Sequence, residues 1–345
     1  MIESSTRKRD VGTITAAVND ALHHLPGDNR FCLMLIGSWS LNLGTPTSDI
    51  DLLLVSDERM TGTESLQAFQ RQIALSLSWV QIENVSREEF GRLVAKAQLP
   101  SYQSLSSRTL ELIYKYTNSH VLHGNDVFRE LTEAFSLEDF SVKIADYYMS
   151  RSMNVYQDVL GARLTEDHRS AVVAVRELVG LAVDALLALR GDAYPKAKWR
   201  LKRATRLQLA PSLMAAIDRC LVGGPTGELA DHWQWIENAL MLFRQLHFLT
   251  VYPGGATLPF PGLDATVAGN PWAFVLRANG KWLITHQDRF FEANEQSITV
   301  LFALAMALPP AQVINVVGNN AVPNHGDSTT SVDTSLQLLE KLGAL

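Results

Sequence analysis

Apolar positions along the first third of the chain fall into two rhythms, one helical and one of strand length. Residues 11–25 (VGTITAAVNDALHHL) carry helical spacing and stop at the turn signal Pro26-Gly27-Asp28. The unbroken run Phe31-Cys32-Leu33-Met34-Leu35-Ile36 reads as a strand ending at Gly37-Ser38, with a short helix expected over 39–43. A second apolar run, Leu52-Leu53-Leu54-Val55, follows directly on Asp49-Ile50-Asp51. Residues 63–77 predict a helix and 79–85 (WVQIENV) a strand. Residues 87–97 predict a helix entered through the capping-box pair Ser86 and Glu89. The segment 105–124 reads as a helix leading into a short strand, Val121-Leu122, closed by Gly124-Asn125-Asp126. This alternation predicts a mixed sheet with helices over residues 1–130.

From about 137 to 250 the pattern lengthens. Ile144, Tyr147, Tyr148 and Met149, then Val172 to Arg190, then Glu228 to Leu249 repeat at helical spacing, which predicts a helical domain over 131–251. The Gly- and Pro-rich interval 252–271 reads as a linker. Two strand-like runs, Ala273 to Arg277 and Trp282 to His286, flank a hairpin turn at 278–281, and helices are expected over 292–307 and 310–317. These make a small unit at 272–317, followed by a tail at 318–345 that is polar to 332 and helical in pattern over 333–343. The expected fold class is α+β, in two or three units.

A formal charge of -6 and a pI near 5.9 give no overall basic surface, which argues against nucleic acid or an anionic membrane as the main partner. Cys32 and Cys220 are the only cysteines and lie in apolar surroundings, as expected of core thiols in a reducing compartment. The start, MIESSTRKRD, has no apolar segment behind it, and no apolar run is long enough to span a bilayer. The expected location is the cytoplasm. Nine histidines show no zinc spacing, and no Walker A, dinucleotide or Gly-X-Ser-X-Gly motif is present.

The chemistry concentrates around Asp49 and Asp51. Residues i and i+2 of a strand share a face, so the two carboxylates project together and repel unless a cation lies between them. Hard oxygen ligands at this spacing suit Mg²⁺, which takes one or two carboxylates and completes its shell with water and phosphate oxygens. Upstream, Gly37 permits an anion to approach the backbone, and Ser38 adds a hydroxyl donor at a helix start. A nucleoside triphosphate with Mg²⁺ satisfies both halves. A third acid, to bind metal or to take a proton, is available as Glu83, with Gln81 on the same face of its strand.

Gly-Ser, ten residues, then Asp-Ile-Asp resembles the nucleotidyltransferase fold of the DNA polymerase β superfamily, and most closely its small-molecule nucleotidyltransferases, the group that modifies aminoglycosides and lincosamides. The acid-bearing strand at 79–85, the Leu-X-Gly-X-Asp form at 122–126 and the element Tyr194-Pro195-Lys196-Ala197-Lys198-Trp199 add to the likeness, which covers residues 15–250. A third family carboxylate aligned with position 81 would meet Gln81, leaving Glu83 to supply it. The resemblance implies catalytic and metal-binding roles for Asp49, Asp51 and Glu83, nucleotide contacts at Gly37, Ser38, Ser48 and Lys198, two Mg²⁺ ions, and ATP as co-substrate. The implied reaction transfers NMP, as AMP, to a hydroxyl of a small-molecule acceptor with release of pyrophosphate. A homodimer is compatible with it.

Three other readings stand beside these. Lys198 belongs to a basic stretch with Lys196, Arg200, Lys202, Arg203 and Arg206, which also reads as a solvated charged face. Arg176 and Glu177 read either as acceptor contacts or as an internal ion pair. The strands and helices of 272–317 resemble a small winged-helix module and, faintly, the peptide-chaperone domains of peptide-modifying pathways, implying a peptide or protein partner; the same unit also reads as an accessory packed on the helical domain. The competing functions are a non-catalytic nucleotide- or partner-binding relative, and a nucleotidyltransferase that modifies protein or RNA.

Overall fold

The computed structural model describes residues 10–25, 31–251, 270–301 and 337, apart from positions 46, 61, 78, 125, 127–129, 131, 134, 279–280, 287–288 and 295–296. The chain forms two compact units: residues 1–143 with 193–199, and residues 144–192 with 200–345.

In the first unit, α1 (Val11–Ala21) is capped by Asp10, whose carboxylate accepts the Thr13 N–H at 2.8 Å. Strand β1 (Phe31–Ile36), helix α2 (Gly37–Ser40), strand β2 (Ile50–Ser56), helix α3 (Glu64–Ser76), strand β3 (Val80–Ser86), helices α4 (Arg87–Ala97) and α5 (Ser107–Thr117) and strand β4 (His120–His123) follow. The sheet order is β3-β2-β1-β4, with β1 antiparallel to both β2 and β4, and β2 parallel to β3.

Both faces of β1 and β2 are covered, which explains why these strands are apolar throughout rather than alternating. Leu33, Leu35, Ile50, Leu52 and Leu54 pack with Ile14, Val18, Phe69 and Ile73 of α1 and α3. The opposite parity, Cys32, Met34, Ile36, Leu53, Val55 and Val85, packs with Phe90 and Val94 of α4 and Tyr116 of α5. The predicted capping box is formed, with Ser86 Oγ accepting the Glu89 N–H at 3.2 Å and the Glu89 carboxylate accepting the Ser86 N–H at 3.0 Å. The helix expected over 39–43 is instead a single turn at 37–40, after which the chain returns to pair β2 antiparallel with β1.

The second unit contains α6 (Leu137–Leu164, whose first residues belong to the first unit), α7 (His168–Leu189), α8 (Arg200–Arg206), α9 (Pro211–Leu221) and α10 (Leu229–Val251). Helix α7 is buried continuously from Leu178 to Ala188, so it forms the centre of this unit. The basic stretch after it is a solvated face only in part, with Lys198, Lys202 and Arg206 exposed and Arg203 enclosed. Arg203 is fully buried, with Nε 2.9 Å from Asp192 Oδ1 and Nη1 3.1 Å from Asp184 Oδ1, while Arg200 pairs with Asp184 and Arg206 with Asp192. Buried charges persist only when paired in this way. Arg176 does not pair with Glu177: it donates to the Gly223 carbonyl and lies 5.6 Å from the Trp235 ring centre.

Strands β5 (Phe274–Ala278), β6 (Lys281–His286) and β7 (Arg289–Ala293) form an antiparallel sheet in that order. The expected helix does not start at 292, because residues 289–293 pair with β6; helix is described over 297–301. The predicted small unit groups with the helical one. Tyr156 of α6 donates to the Trp272 carbonyl, Trp272 Nε1 donates to Glu237 of α10 at 2.9 Å, and Arg244 Nη1 donates to the Asn270 carbonyl at 2.6 Å. The predicted linker at 252–271 falls almost wholly outside the described residues. So do the expected helices at 310–317 and 333–343 and the tail from 318, save residue 337. Among the described residues no helix is long and apolar enough to cross a membrane.

Candidate active site

The face of the sheet covered by α4 and α5 carries Val55 and Leu53 and then, toward the N-terminal end of β2, Asp51. Ile36, the last residue of β1, pairs with Asp51 across the antiparallel register, so the chain turns at Gly37 directly against that carboxylate. Gly37 adopts φ 74°, and a Cβ there would stand 2.3 Å from Asp51 Oδ2. Only glycine accommodates both the left-handed backbone and this approach.

Asp49, just before β2, is exposed, and Asp51 is half-buried. In the parallel register Gln81 pairs with Asp51 and Glu83 with Leu53. Gln81 Nε2 donates to Asp49 Oδ2 at 3.4 Å. Glu83 lies two residues farther along β3 on the same face, near the buried Tyr116, whose own ionisation is pushed up by burial first and by Glu83 next. Burial raises the Asp51 carboxyl above its ordinary range; Lys115 pulls it down, Asp49 and Glu83 push it up, and Lys196 pulls it down. Asp49, Asp51, Glu83, Lys115 and Lys196 therefore share one electrostatic neighbourhood.

The remaining predicted residues are placed as follows. Ser38 is half-buried in α2, and its carbonyl accepts the Leu43 N–H at 2.8 Å. Ser48 Oγ accepts the Thr45 N–H at 2.9 Å and bonds Thr45 Oγ1 at 3.0 Å, so this hydroxyl shapes the loop that delivers Asp49. Lys198 Nζ lies 4.9 Å from the Trp199 ring centre. Lys196, two residues earlier, pairs with Glu111 at 2.6 Å, as does Lys115 at 2.9 Å. Burial works to raise the Glu111 carboxyl, but the hydrogen bonds from Lys196 and Lys115 outweigh it and hold the group below the ordinary carboxylate range.

Sequence reasoning missed Lys115, Glu111 and Tyr116 as neighbours of the acids. The only local signal was the i,i+4 spacing of Glu111 and Lys115 on one helix. Among the described residues no three His, Cys, Asp or Glu side chains stand close enough to hold a metal by themselves. Mg²⁺ needs no such set, since water and substrate phosphate complete its shell around one or two carboxylates. Asp49 and Asp51 fit that requirement, and the glycine-lined approach to Asp51 Oδ2 leaves the turn free of a side chain. In comparisons with known proteins, no family model and no curated protein matches this chain.

Proposed function

We propose that the chain is a metal-dependent nucleotidyltransferase that moves NMP, as AMP, from a nucleoside triphosphate to a hydroxyl of a small-molecule acceptor. The supporting observation is the convergence of Asp49, Asp51 and the left-handed, side-chain-free Gly37 where β1 turns back toward β2.

Asp49 and Asp51 would hold Mg²⁺, which would supply neutralising charge for the triphosphate. The Gly37-Ser38 turn presents backbone N–H groups and one hydroxyl to the distal phosphates. Lys196 and Lys115 add positive charge beside Asp51. The acceptor oxygen bonds to the α-phosphorus as the bond from that phosphorus to the oxygen bridging the β-phosphate breaks. Glu83 takes the acceptor proton, and pyrophosphate leaves. Both cysteines are buried, with thiols pushed up to about 12 by burial, as suits inert core residues in the cytoplasm.

One observation favours a second reading, a non-catalytic nucleotide-binding protein: Gln81, not an acid, stands in register with Asp51 and bonds Asp49. Incubating the protein with Mg²⁺, each NTP and a panel of hydroxyl-bearing acceptors, and following pyrophosphate release, separates the two. Turnover lost in Asp49→Asn supports the transferase. Saturable NTP binding without turnover across the panel supports the second reading.

A further inference from the structure

A single oxygen of Glu111 serves two cations. Oε1 accepts from Lys115 Nζ at 2.9 Å and from Lys196 Nζ at 2.6 Å. Lys115 sits one turn along α5, while Lys196 arrives on residues 193–199, which group with the sheet unit although the chain on either side of them does not. That segment is seated by the buried Tyr194, whose ring centre lies 5.6 Å from that of Tyr114 on α5. The Glu111 side chain is 14% exposed and that of Lys196 44%, so the carboxylate is held inside while one of its cations reaches solvent. Both ammonium groups also act on Asp51.

Two ammonium groups converging on one anionic oxygen is the arrangement in which lysines hold a phosphate oxygen. Each Nζ carries three N–H donors, so its bond to Glu111 leaves further donors for a ligand. We propose that the Lys115–Lys196 pair is a polyphosphate-binding site and that Glu111 is its built-in competitor, a carboxylate that holds the two cations together in the empty site and yields Lys196 to the entering anion. The identity of the anion, triphosphate before transfer and pyrophosphate after it, rests on the nucleotidyltransferase assignment. The competitor role does not. A carboxylate that recaptures Lys196 shortens the stay of pyrophosphate, at the cost of weaker triphosphate binding.

The test is calorimetric titration of inorganic pyrophosphate into the full chain, in the presence of Mg²⁺, for wild type, Glu111→Gln, Lys196→Met and the double variant. Glu111→Gln removes the competing charge while keeping the shape, and pyrophosphate should bind about tenfold tighter. Lys196→Met should weaken binding by about the same factor, and the gain from Glu111→Gln should vanish in the Lys196→Met background. A purely structural Glu111 predicts no such dependence on Lys196. Unchanged or weaker binding in Glu111→Gln overturns the competitor role, and a gain that persists without Lys196 overturns the site. Glu111→Asp withdraws the oxygen by one methylene and should give an intermediate gain, which keeps the test decisive if the Gln variant does not fold. The expected binding shifts without transfer from any NTP would sink the transferase and leave this inference standing; transfer with unshifted pyrophosphate binding would do the reverse.

Discussion

Gly37→Ala adds one methyl group where β1 passes into α2, and two separate penalties follow. The backbone at φ 74° is the left-handed region, which costs an alanine roughly 1–2 kcal/mol relative to glycine. The new Cβ also meets Asp51 Oδ2 at 2.3 Å and the Asp51 carboxyl carbon at 3.2 Å. The backbone of β2 cannot retreat, because it is hydrogen-bonded to β1 on one side and β3 on the other. The Asp51 carboxylate must therefore leave its rotamer, adding roughly 1 kcal/mol. The sum is about 2–3 kcal/mol, which lowers Tm by roughly 5–10 °C for a cooperative unit of this size. Melting Gly37→Ala, Asp51→Ala and the double variant isolates the contact. Asp51→Ala removes the two atoms nearest the new methyl, so the same Gly37→Ala change should cost about 1 kcal/mol less in that background. Equal losses in both backgrounds would refute the idea that Gly37 is required by its closeness to the carboxylate. In wild-type background the displaced carboxylate should also weaken Mg²⁺-NTP binding beyond what the loss of stability explains.

Three further outcomes are expected. Asp51→Asn should abolish pyrophosphate release yet raise Tm in metal-free buffer at neutral pH. The Asp51 carboxyl titrates higher in the folded chain than unfolded, so stability is lost as pH rises from about 3.8 through that raised value; a lower Tm for Asp51→Asn would contradict this. Glu83→Gln should lower kcat by about 10² with little change in NTP affinity, and Gln81→Asp should not raise turnover; a silent Glu83→Gln together with a large gain from Gln81→Asp would show that the natural chain lacks its catalytic acid. His247 is buried in α10 and desolvation holds its pKa down at about 4. It thus contributes stability above pH 6.5 that is lost as pH falls toward 4, by up to roughly 3 kcal/mol, and denaturant melts of His247→Phe should lack that part of the acid limb.

The elements legible in the sequence were those whose cause is local. Two apolar runs broken by Gly37-Ser38 and by Asp49-Ile50-Asp51 announced the central strands, and Ser86 with Glu89 announced the start of α4. What escaped depends on partners distant along the chain. Arg203 reads as one more member of a basic surface until Asp184 and Asp192, 19 and 11 residues away, enclose it. Residues 289–293 have no strong strand signal of their own and become β7 because β6 lies alongside. Lys198 drew attention through its Trp neighbour, whereas Lys196 owes its place to Glu111 and Tyr194, which only the folded chain brings together.

The case for a ligand site rests less on the Asp-X-Asp motif than on what its surroundings forgo. Leu at position 51 would extend the apolar face that Leu53, Val55 and Val85 present to α4 and α5; an acid there is pushed toward protonation by its own burial. Gly37 brings a flexible residue to the end of a fully buried strand. Trp79, whose carbonyl accepts the Ile50 N–H at 2.9 Å, is held at φ 61° with 74% of its surface exposed, a conformation and a setting that both disfavour a bulky apolar residue. Each feature is tolerable alone. Positive-φ residues and exposed apolar side chains also occur elsewhere among the described residues, at Glu166 and Gln208 and at Leu75 and Leu164, so it is the adjacency of Asp51 and Gly37 that sets this end of β2 apart. Under the proposed function, a metal-neutralised phosphate chain would account for that adjacency.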